Sequence, residues 1–146
     1  MKTKGKIITA SLFFLSIFAS SCEETLEEYI HRQAEEFGAL YFNHKIRESK
    51  PYCTYEMQPI MDFRNYNLSD RERNLLKKQK EPATVKTVYS FIDLLNERAY
   101  VSLEVKNFVH VDYLKDTSYL VECDTIELIF KQLSLDKHIW RIMNPF

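Results

Sequence analysis

Four histidines, three cysteines and 21 acidic residues are the groups from which a reactive or metal-binding site in this 146-residue chain would be built. Two ligands on one helix face need a spacing such as H-x-x-x-H, and a thiolate pair needs C-x-x-C. Neither occurs: His31, His44, His110 and His138 are scattered, as are Cys22, Cys53 and Cys123. No metal and no cofactor is expected. His110 and Asp112 fall on one face of an alternating segment, a pairing that would give a base and its orienter if buried. That face lies opposite Val109, Val111 and Tyr113, so it is expected in solvent. Asp62, between Met61 and Phe63, is one acid that could enter an apolar pocket, and its simpler reading is a helix-surface carboxylate. Tyr52, Tyr55 and Tyr66 crowd the least regular stretch, where rings with an apolar body and a polar tip suit a small ligand or a partner. With two glycines, neither a P-loop nor a glycine-rich nucleotide loop can be built, and no G-x-S-x-G elbow or Ser-His-Asp order occurs. No residue is assigned a catalytic role.

The first cysteine has a different chemistry in view. Met1 to Lys6 carries three lysines and no acid, and Ile7 to Ala19 is apolar. That stretch suits the h-region of an export signal and falls short of the ~20 residues a membrane-spanning helix needs. Ala19, Ser20 and Ser21 are small, and Cys22 follows. Ala19-Ser20-Ser21-Cys22 resembles the lipobox of bacterial lipoproteins, which implies cleavage before Cys22 and lipid on its thiol. Lipobox sequences usually carry a branched aliphatic residue where Ala19 stands, so cleavage by an ordinary signal peptidase at Ala-x-Ser is the alternative. Residues 1–21 are then the signal and 22–146 a single domain. Glu23, Glu24, Glu27 and Glu28 form an acidic cluster that resembles the surface-export signals of Bacteroidetes lipoproteins, and carboxylates in a first helical turn are the ordinary alternative. The expected address is the cell envelope, at the outer membrane, facing either the periplasm or the surface.

Three of the 20 basic residues and none of the 21 acids lie in the first 21 residues, leaving a formal charge of −4. Nucleic acid is not a natural partner for such a surface. If Cys22 carries lipid, Cys53 and Cys123 are the two thiols left in an oxidising compartment, and a disulfide between them is expected. Two buried thiols acting as small apolar groups are the alternative.

The elements that would position these residues follow from periodicity. Thr25-Leu26-Glu27-Glu28 has capping-box form, and Leu26, Ile30, Ala34, Phe37 and Tyr41 recur at helical spacing, which predicts a helix from Thr25 to about Ser49, before Pro51. Thr54–Tyr66 is a second helical segment. Ser69-Asp70-Arg71-Glu72 repeats the capping box and predicts a third helix, ended by Pro82. Strands are predicted at Thr84–Ile92, Val101–Tyr113, Ser118–Gln132 and His138–Met143, the second with its odd positions inward. The inward set of the third strand changes phase near Asp124, which predicts a β-bulge there.

Helices followed by four hairpin-linked strands make an α+β fold, with a long N-terminal helix and short helices covering one face of a four-stranded antiparallel sheet. This order resembles the nuclear-transport-factor-2-like and cystatin-like superfold, common in small Bacteroidetes lipoproteins. The resemblance implies a curved sheet and a cone whose mouth holds a small ligand, a partner or nothing. The expected function is a membrane-anchored, non-enzymatic binding module for an envelope protein or a small ligand. The competing expectation is a small enzyme with its site inside the cone.

Overall fold

The computed structural model describes residues 23–135 and 138–144. The signal segment 1–21, Cys22 and the boundary between them lie outside the described residues.

Among the described residues there are four α-helices and one four-stranded antiparallel sheet. Helix α1, Leu26–Phe42, starts where Thr25 and Glu28 cap each other's backbone N–H groups. It does not run on to Ser49. Its end is a Schellman turn in which Lys45 N–H donates to Leu40 O and His44 N–H to Tyr41 O. His44 takes the left-handed φ of 59° at the position glycine usually fills. Helix α2, Ile46–Ser49, then leaves in a new direction, and two single 3-10 turns lead to α3, Gln58–Tyr66, which tolerates Pro59 in its first turn. Helix α4, Asp70–Lys78, begins on the Ser69–Glu72 capping box.

Strands β1 (Thr84–Asp93), β2 (Arg98–Asp112), β3 (Thr117–Ser134) and β4 (Ile139–Asn144) pair in chain order. Helix α1 runs antiparallel to β1: Ser90 meets Glu27 and His31 near the helix start, and Ala83 meets Asn43 at its end. Its inward residues Ile30, Ala34 and Phe37 are fully buried together with Val101, Leu103 and Val105 of β2, Leu128 and Phe130 of β3, and Trp140 and Ile142 of β4. Each such large apolar side chain contributes about 1.5–3 kcal/mol by leaving water. Gly38 lets the helix come close: a Cβ there would sit 2.8 Å from Val85 Cγ1 and 3.2 Å from Leu103 Cδ1.

The odd-inward register of β2 holds from Ala99 to Val105 and then fails. Asn107 has a φ of 57°, and beyond it Phe108 joins the core while Tyr113 is exposed. No bulge forms at Asp124. The β2–β3 pairing keeps one register from Arg98 opposite Lys131 to Lys106 opposite Cys123, and resumes in that same register at Phe108 opposite Val121. The pairing is interrupted at Asn107 and Glu122, and both strands change face there with no residue added. Irregular registers occur instead at Val88 of β1 and along the β3–β4 pair.

Candidate functional site

The stripe Met57, Met61 and Arg64 follows helical spacing, so α3 turns Arg64 toward the side on which Met61 is buried. The Arg64 side chain is only 10% exposed. Its guanidinium carbon lies 5.5 Å from the ring centres of both Tyr41 and Tyr113, and Nη1 donates to the Tyr113 hydroxyl. Glu72 Oε1 stands 3.5 Å from Nη1, and Glu72 is itself buried by its role in capping α4. Removing a guanidinium from water costs several kcal/mol unless charge and ring faces replace the hydration. Burial works against the Arg64 charge, and Tyr41, Tyr113 and Glu72 more than restore it, holding the group protonated. Nε is buried with no partner among the described residues.

Burial, reinforced by the Arg64 charge and opposed by Glu72, pushes the neighbouring His44 down to about 4, so it is neutral at pH 7. Burial also raises the Tyr41 phenol, with the Arg64 charge opposing.

A cavity of about 330 Å³ opens beside this cluster. Tyr41, Phe42 and Arg64 line it from the helical side, and Phe108, Tyr113 and Ile126 from the sheet. Its walls are largely apolar, with the Arg64 guanidinium on one side and the Asp112 carboxylate on the other, which suits a small molecule carrying an apolar body and a hydrogen-bonding group.

His110 and Asp112 also line this cavity, because the face change at Asn107 turns their side of β2 away from the solvent expected for it. Among the described residues no hydrogen bond joins the two. His110 packs against Tyr119, with ring centres 5.2 Å apart, and Asp112 accepts from the Leu114 and Lys115 N–H groups and pairs with the Lys115 ammonium. Burial would raise the Asp112 carboxyl, but these Lys115 and Leu114 contacts outweigh it and hold it below the usual carboxylate range. Asp62 is a helix-surface carboxylate paired with Lys50 at 2.5 Å.

The three tyrosines do not converge. Tyr52 donates to Glu36 Oε2 at 3.0 Å and meets the edge of Phe37, tying the 3-10 turn to α1. It lines a groove with Gln33, Glu48, Pro51 and Arg141, which Tyr55 and Tyr66 do not reach. Those two are 83% and 79% exposed.

The expected disulfide is absent: Cys53 and Cys123 are free thiols. Cys53 is buried beside Ile142, which pushes its thiol up to about 12. Cys123 is exposed, opposite Lys106. Ile142 pairs with Phe130, seven residues along β3 from Cys123. At ~3.3 Å per residue that separation is roughly 23 Å, far beyond the ~7 Å a disulfide spans. The inward assignment of Cys123 failed because the face change occurs just before it.

No family model, no curated protein and no solved structure matches the chain. Among the described residues no three His, Cys, Asp or Glu side chains converge, and no helix is long and apolar enough to cross a membrane. The sequence carried a signal for Arg64, its place on the Met57–Met61 stripe, but nothing that joined it to Tyr41 and Tyr113.

Proposed function

We propose that this chain is an exported lipoprotein, held at the outer membrane through lipid on Cys22, whose domain binds a small ligand in the Arg64 cavity and performs no chemistry on it. The signal layout from Met1 to Cys22 supports the anchor. One observation carries the binding arm: a nearly buried guanidinium set between two aromatic rings at the wall of an apolar cavity. A fixed cation there favours a carboxylate or another anionic acceptor over a neutral group. Against a small enzyme stands the engagement of Asp112 with Lys115, which leaves His110 without a carboxylate to orient it. A nuclear-transport-factor-2-like or cystatin-like cone fits the order of helices and strands.

Two measurements test the two arms. Fatty-acid labelling of the full chain in a lipoprotein-processing bacterium is expected to disappear in Cys22→Ser, and undiminished labelling ends the anchor. Titration with hexanoate and phenylacetate, followed by NMR shifts of the Ile126 methyl groups, is expected to saturate. The matching amides should bind more weakly, and Phe108→Trp, which reduces the cavity, should bind less. Equal shifts for acids and amides would remove Arg64 from recognition.

A further inference from the structure

The end of the domain opposite the Arg64 cavity carries a set of exposed leucines at the place where the anchor enters. Antiparallel packing of α1 on β1 puts the helix start beside the β1–β2 turn, since Glu27 and His31 meet Ser90. The β3–β4 turn reaches the same end: Gln132 N–H donates to Glu97 O, and His138 shares a cavity of about 620 Å³ with Glu24, Leu26 and Tyr29. At this end Leu94 is 61%, Leu95 95% and Leu135 67% exposed. Leu114, at the β2–β3 tip, is 99% exposed too, so what singles out this end is that leucines of two turns stand beside the anchor.

The chain itself names what covers them. Between Cys22 and the helix cap at Thr25 stand only Glu23 and Glu24. Fully extended, that connection spans roughly 10 Å, so lipid on Cys22 would hold this end of the domain against the bilayer surface. Glu24 pairs with Arg32 at 2.7 Å, but Glu23, Glu27, Glu28, Asp93 and Glu97 also stand at this end, and no basic patch faces the bilayer there among the described residues. The contact is therefore apolar in character and does not depend on anionic lipid.

We propose that Leu94, Leu95 and Leu135 insert into the interface of the bilayer that holds Cys22, so that the domain stands on the membrane with the Arg64 cavity turned away from it. This inference rests on the anchor reading above. Along β2 ten residues separate Arg98 from Phe108, where the cavity lining on that strand begins, a separation of roughly 33 Å along an extended strand.

The test uses the full chain, processed in a lipoprotein-making bacterium and reconstituted into phosphatidylethanolamine–phosphatidylglycerol vesicles with brominated acyl chains. Leu95→Trp, Leu135→Trp and Leu114→Trp place a reporter at exposed positions, the last at the β2–β3 turn, and buried Trp140 gives a common background. The expected result is loss of most of the added emission at 95 and 135, none at 114, and no change on raising the salt. A lipidated protein with 95 and 135 unquenched, or with 114 quenched as strongly, overturns the docked orientation and leaves the anchor intact. A chain whose mass shows no lipid and which does not float with the vesicles overturns the anchor and the docking together.

Discussion

Asn43 and Ala83 hydrogen-bond to each other twice across 40 residues: Asn43 Nδ2 donates to Ala83 O at 3.0 Å, and Ala83 N–H donates to Asn43 Oδ1 at 2.8 Å. The amide thereby closes the junction between the end of α1 and the entry to β1, where Ala83 is buried. Asn43→Ala is expected to cost about 2 kcal/mol, because it leaves a buried backbone pair unsatisfied. Urea denaturation at constant m-value measures it. A loss below ~0.5 kcal/mol would mean that water replaces the amide.

Gly38 sets up a contest between two effects. Helix propensity favours Gly38→Ala by about 1 kcal/mol, while overpacking costs about 1–3 kcal/mol. With Val85 Cγ1 at 2.8 Å and Leu103 Cδ1 at 3.2 Å from the added carbon, overpacking is expected to win and thermal stability to fall. A variant melting higher than the parent would place α1 farther from the sheet.

Neighbouring residues on β2 should respond in opposite ways. Val105 is fully buried, and Val105→Asp strands an unpaired carboxylate, costing about 4 kcal/mol or more and abolishing the near-ultraviolet circular dichroism of the folded core. Glu104 is a surface partner of Lys106 at 3.0 Å, and Glu104→Ala should stay within about 0.5 kcal/mol of the parent. Comparable losses at the two positions would put the strand in the wrong register.

His44 makes the fold sensitive to mild acid. Its folded pKa of about 4 lies below its ordinary 6.5, so the unfolded chain takes up the proton first. Stability is complete above pH 6.5, declines as the pH falls toward 4, and levels off below that. His44 is partly exposed, so the decline attributable to it is expected at about 1–2 kcal/mol. His44→Gln should flatten it, leaving the carboxylate losses at lower pH from Glu28 and Asp93, both held below their ordinary values by hydrogen bonds. Melting temperatures of parent and variant at pH 7 and pH 4.5 separate the two. Parallel shifts in both proteins would show that His44 is not the group involved.

What the sequence determined by itself is what neighbouring residues decide among themselves. Both capping boxes, Thr25 with Glu28 and Ser69 with Glu72, join residues three apart and formed as their spacing dictates. The alternation of β2 was legible from Val101 to Val105, as was the order of four hairpin-linked strands. The remainder depended on groups distant in the chain. Helix α1 stops at His44, despite a hydrophobic stripe reaching Ile46, where a left-handed residue coincides with the Asn43–Ala83 clasp. The phase of β3 changes where its pairing with β2 is interrupted opposite Asn107, a contact between residues far apart in the chain, and Cys123 faces solvent. The Arg64 cavity draws one ring from α1, a cation from α3 and another ring from the end of β2. Burying that cation requires all of these to meet at once, because each desolvates the guanidinium and only together do they replace its water; no local pattern encodes that meeting.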